Sequence, residues 1–157
     1  MTGPPVVLAM ARVEARELRG LVDQFLDLLR DTGVGEDPAV DRLVPSPYPD
    51  DAEAATMFAD ATADDLLDRR SADARIVHDA LTPPEDAEDE DDLAEIRIPV
   101  PAPDLDAWLR TLTALRLVIA SRLGIEQGVP PDPDDPRYGV YDWLGFRLDG
   151  LIEAAEA

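Results

Sequence analysis

The side chains here with charge enough for chemistry are carboxylates and guanidiniums. The 157-residue chain carries 35 Asp plus Glu against 14 basic residues, every one an arginine, with one histidine and no cysteine. Without cysteine the chain can form no disulfide, thiolate metal site, iron–sulfur cluster or thiol nucleophile. His78 stands alone, offering neither metal-ligand spacing nor a nucleophile to activate, and reads as a partly exposed helix residue. Two short motifs fail on inspection. "TGVGED" lacks the third glycine and the lysine of a phosphate-binding loop. "DPDDP" at 132–136 has prolines and lacks the glycine of an EF-hand loop, so it reads as a turn. A general acid–base pair needs two carboxylates singled out by their surroundings, and no spacing singles out a pair. No catalytic residue, cofactor or metal ligand is assigned, and binding is expected rather than catalysis.

The charge itself is informative. The formal net charge is −21, and the run "EDAEDEDD" at 85–92 holds seven of the acids. Without that run, 28 acids still face 14 arginines, so the acidity is spread along the chain. DNA affinity comes from cations neutralising phosphates, so direct duplex binding is disfavoured unless the arginines gather on one face. A partner with a basic surface is the better electrostatic match. A salt-adapted or high-GC host would produce the same bias without functional meaning.

The elements that must position these groups are mostly helical. Apolar residues make up 45%, enough for a packed core in one domain spanning residues 1–157. "VVLAM" (6–10) reads as a strand. "VEARELRGLVDQFLDLLRD" repeats Leu18, Leu21 with Val22, Phe25, and Leu28 with Leu29 at helical spacing, with Gly33 as its stop. A helical turn is expected around "PAVDRL". In "RLVPSPYPDD" (42–51) every second residue is proline before two aspartates. Each proline biases its predecessor toward extended geometry, and Asp50 or Asp51 caps the next helix. That helix, 52–81, is expected in two pieces with a break near Thr62, its second piece facing inward with Leu66, Arg70 or Ala74, Val77 and Leu81. An acidic flexible loop follows at 82–94. "AEIRIPVP" alternates as a strand and pairs with the first. "DLDAWLRTLTALRLVIASRLG" is apolar around most of its circumference and should lie centrally. A Pro/Asp-rich loop at 128–139 precedes the last helix. The expected fold is mainly α: a bundle of four to five helices with a short two-strand β pair.

Several residues are candidates for structural or partner contacts. Arg116 sits between Leu115 and Leu117 along the apolar stripe of the central helix, which also holds Trp108, and an arginine there needs a carboxylate or carbonyl partner; a register-fixing salt bridge is expected ahead of an anion site. Arg122 on the same helix invites the same reading. Arg69 and Arg70 are expected to tie their helix to acidic neighbours. Tyr141, Trp143 and Phe146 place aromatics on more than one side of the last helix, either as core or as a patch for a partner or a second copy. Arg42 and Tyr48 are expected to pack or bond at the proline-rich joint. The amino terminus lacks a basic region, its apolar run is too short for a signal peptide, and no segment could span a membrane, so a cytoplasmic location is expected.

Three stretches in order, "DRLVPSPYPDDAEAATMF", "AWLRTLTALRLVIASRLGI" and "VYDWLGFRLDGLIEA", resemble an actinobacterial family long labelled only as a domain of unknown function. Its members are described as oxidative-stress regulators of the AosR type. The resemblance implies a transcriptional role with a stress sigma factor or RNA polymerase as partner, and oxidation sensing through cysteines. This chain has no cysteine, so the thiol switch does not carry over. Where the family reads "LNDLRL", this chain has Thr113 and Ala114. A second reading is an adaptor for cytoplasmic, Clp-type proteolysis. Within the resemblance, "RLVPSPYPDD" is a fixed joint between helices and not a free docking peptide. Replacing Pro47 and Pro49 together by alanine should therefore lower the thermal midpoint. An unchanged midpoint with weakened partner binding would mark the stretch as a docking peptide.

Overall fold

The structure, a computed structural model, describes residues 5–32, 35–44, 52–83 and 91–156, without the side chains of 52–61 and 126. The proline-rich joint with Tyr48, Asp50 and Asp51, the stop at Gly33 and most of the acidic loop lie outside the described residues. Strand β1 (Val6–Ala11) leads into α1 (Arg12–Asp31), a one-turn α2 (Pro38–Asp41) and the long α3 (Ala52–Leu81). Strand β2 (Glu95–Val100), the central α4 (Leu105–Leu123) and α5 (Pro136–Glu156) complete the chain. This is the expected mainly helical bundle with a two-strand antiparallel pair.

Proline sets the phase of the strand pairing. Val7 faces Pro99, which has no N–H, so that pair cannot exchange ladder bonds. The bonded pairs must be Val6–Val100, Leu8–Ile98 and Met10–Ile96, and the ladder continues in phase as Arg12 N–H donates to the Ala94 carbonyl. Leu8, Met10, Ile98 and Val100 turn inward, whereas Val7, Ala9, Glu95, Arg97 and Pro99 face out. The same phase points the Ala9 carbonyl away from β2, where Arg147 of α5 donates to it at 3.0 Å.

On α1 the buried row is Ala15, Leu18, Val22, Phe25 and Leu29, a 3–4 spacing that lays one stripe on the core. Asp37 caps α2 by accepting from the Ala39 N–H at 2.9 Å, and Pro38 sits at the first helical position. α3 runs without the break expected near Thr62. No glycine or proline interrupts 52–81, and alanine dominates its first half, so nothing local ends the helix. Its inward row is Leu67, Arg70, Ala74, Val77 and Leu81; Leu67 takes the buried place expected of Leu66. α5 begins at Pro136, inside the loop expected at 128–139, because Asp135 accepts from the Arg137 N–H and proline is accommodated at a helix start. α4 packs against α3 and α5 on its flanks and meets α2 and α1 besides, burying Trp108, Thr111, Leu112 and Leu115.

Gly124 ends α4 with φ at 71°, its N–H reaching the Ala120 and Ser121 carbonyls. A methyl group there would sit 2.7 Å from a Val129 methyl. Gly124→Ala should therefore cost about 1–2 kcal/mol through left-handed strain and crowding. Thermal unfolding read by circular dichroism checks this; an unchanged midpoint would show that the turn relaxes freely.

Candidate functional site

Charged and aromatic side chains stitch the helices together, with three seams made around Arg116, Glu14 and Arg122 and further links from Arg110 and His78. The first joins α4 to α5. Arg116 finds no carboxylate among the described residues; its Nε–H donates to the Tyr141 carbonyl at 3.2 Å and its guanidinium stacks 4.1 Å from the Tyr141 ring centroid. The expected salt bridge is replaced by a carbonyl and an aromatic face, partners a planar cation uses well when half-buried. Gly145 makes the fit, since a Cβ there would lie 2.9 Å from the Arg116 Nη2.

The second seam centres on Glu14, which sequence reasoning did not single out. Its carboxylate accepts from the Ala11 N–H at 2.9 Å, the Trp143 indole at 3.0 Å and Arg147 Nη2 at 2.6 Å. Burial alone would raise its pKa, but these donors and the Arg147 charge together hold the carboxyl below its usual range. Trp143 is thereby turned inward, on the core side of the core-or-patch alternative. Phe146 is not: it is 67% exposed, with the Arg147 guanidinium 5.5 Å from its ring centroid. Tyr141 is half-buried.

Arg122 carries the third seam. Its two terminal nitrogens donate to the two oxygens of Asp37, at 2.6 and 2.5 Å, so the α2 cap is also the ion-pair partner of α4. The Arg122 bonds hold the Asp37 carboxyl below its usual range. On the α3 side, Arg110 makes a similar paired contact with Asp73. Arg70, expected to meet an acid, instead points a terminal nitrogen at the Leu43 carbonyl, 3.5 Å away. It is the one cation in the inward row of α3, and burial lowers its pKa. Arg69 is exposed. His78 bridges α3 to α1 through Asp23 at 2.9 Å.

The candidate residues thus do not converge on one point. Trp108 is core, 1% exposed, with its indole N–H unpartnered among the described residues. Arg42 is exposed on the turn after α2. Thr113 faces solvent and bonds back to the Leu109 carbonyl, while Ala114 is buried. What the seams leave open is a cleft of about 330 Å³ between α1, α4 and α5, lined by Leu21, Leu28, Val118, Ile119 and Val140 among others. Among the described residues no group of three or more His, Asp or Glu could hold a metal ion, and no helix is long and apolar enough to cross a membrane.

Glu14 generates a pH prediction. A carboxyl whose folded pKa is depressed adds stability that is complete above its unfolded pKa and is lost as pH falls through the folded one. Glu14→Gln should cost about 1–2 kcal/mol at neutral pH. Urea midpoints should show that gap shrinking as pH falls below about 4. A gap independent of pH would assign the loss to packing and not to charge.

No curated protein and no solved structure matches the chain. A family model, the domain of unknown function DUF2017, matches residues 1–155, and the chain belongs to that family.

Proposed function

We propose that this protein is a non-enzymatic regulator that acts through a protein partner, without a cysteine switch. In line with the AosR-type resemblance, the partner class is a sigma factor or RNA polymerase in the cytoplasm of an actinobacterium. The observation that supports this reading is where the arginines go. Arg16, Arg30, Arg97, Arg110, Arg122, Arg137 and Arg147 each hold a carboxylate. Arg70 and Arg116 face backbone carbonyls. Arg19, Arg69 and Arg75 show no such partner among the described residues, but Arg69 and Arg75 point about 120° apart around α3. Among the described residues this arrangement favours a basic protein face meeting the acid surplus over the binding of phosphates.

An exposed Trp143–Phe146 patch would suit the adaptor reading for Clp-type proteolysis, or any dimer. With Trp143 bonded to Glu14, that patch loses its larger member, and the adaptor reading has the weaker support.

The test is an affinity capture of the tagged protein from its host's lysate, with nuclease and moderate salt, read by mass spectrometry. Enrichment of a sigma factor or polymerase subunit is expected, together with no gel shift of duplex DNA by the isolated chain. Clp components without polymerase would replace this reading with the adaptor. A shift of DNA at physiological salt would overturn the electrostatic argument.

A further inference from the structure

We infer that the cleft between α1, α4 and α5 is the docking groove for an amphipathic, basic helix of the protein partner. The inference deepens the partner-mediated reading above and rests on it.

Glu14 clasps α1 to α5 through Trp143 and Arg147. Away from that clasp, Leu21, Gln24, Phe25 and Leu28 of α1 and Val140 of α5 line a cleft together with Leu115, Val118 and Ile119 of α4. Leu21, Leu28, Val118, Ile119 and Val140 are only half-buried, although each packs against the core. Five aliphatic side chains from three helices therefore keep part of their surface uncovered in one place. The α1 and α4 walls follow i, i+3, i+4, i+7 spacing, the row geometry into which another helix lays an apolar stripe.

The chemistry of the rim selects the occupant. A small-molecule site needs a few convergent polar groups free to bind. Here the polar lining is Gln24 and two guanidiniums, Arg122 and Arg137, each already held by an aspartate through paired bonds. An acyl carboxylate would meet Asp37 and Asp135 as well as the arginines they neutralise. A second copy would bring another net charge of −21. A basic helix meets neither obstacle. Glu17 and Asp31 continue the α1 row one turn beyond Leu21 and Leu28, placing carboxylates where the cationic flanks of that helix would lie.

The probe is a fluorescent peptide of about 18 residues, built from leucine and lysine with leucine at helical spacing. Its control has the same composition in scrambled order. Binding is read by anisotropy in about 0.5 M salt, where charge attraction alone is screened. The patterned peptide should bind at least about tenfold tighter than the scrambled one, a margin set by apolar contact. Val118→Glu and Leu28→Glu, each verified as folded by circular dichroism, should bring it down to the scrambled level, whereas Phe146→Ser outside the cleft should leave it unchanged. Equal binding of the two peptides, or wild-type affinity in both folded variants, would overturn the groove. So would a wild-type dimer in sedimentation that Val118→Glu converts to monomer, since a second copy would then be the occupant. In lysate capture, polymerase or sigma factor retained equally by wild type and both variants would sink the groove and leave the regulator reading standing. Peptide binding at the cleft without capture of either would support the groove and sink the regulator reading.

Discussion

One carboxylate holds the amino-terminal strand, the first helix and the last helix in a single arrangement. Glu14 lies one turn into α1, where it closes the helix start by accepting from the Ala11 N–H. The same two oxygens take the Trp143 indole and the Arg147 guanidinium from α5. Arg147 in turn reaches the one kind of carbonyl that β1 turns away from its partner strand, at Ala9. Pro99 sets that phase from the other strand. The position of α5 thus depends on a proline some fifty residues before it and a glutamate at the far end of the chain. A charge in so many bonds is committed to structure, which is why its removal is felt at several elements at once.

The arginines follow the same logic on a larger scale. Acids outnumber them, so carboxylate partners abound, yet the half-buried guanidiniums of Arg70 and Arg116 take carbonyls instead. A carbonyl brings no second charge to desolvate, and a planar cation can lie on an aromatic face while bonding through one edge. Exposed arginines pair with nearby aspartates, as Arg30 does with Asp27 and Asp31 and Arg137 does with Asp135, at little energetic consequence. Most of the described arginines are thus engaged within the molecule, while acids remain in surplus. That division of labour leaves a mostly aliphatic cleft between α1, α4 and α5, whose two guanidiniums, Arg122 and Arg137, are already paired with aspartates.

Much of the framework was legible along the chain. Periodicity marked α1 and α4, alternation and proline marked β2, and the short turn at "PAVDRL" is present as α2. Two local readings failed for local reasons. Thr62 was given a break that uninterrupted alanine-rich sequence does not require, and the start of α5 was placed too late because proline was read as loop and not as a helix opener. The site readings fared differently. Arg122 has its acid, Arg116 has a carbonyl and a ring, Trp143 turned inward and Phe146 did not.

The sequence by itself determined the helix and strand content, the acidic surplus and the exclusion of thiol chemistry, because these depend on residue type and short-range spacing. Only the tertiary structure decided which charges meet. Glu14 and Trp143 are far apart in the chain, as are Asp37 and Arg122, and with acids so numerous no pattern along the sequence could choose one partner over another. The cleft was equally out of reach. Leu21, Leu28, Val118 and Ile119 read as core because a helical stripe reports only which face is apolar. Whether that face is covered depends on how far α5 stands from α1, and a clasp at Glu14 sets that distance.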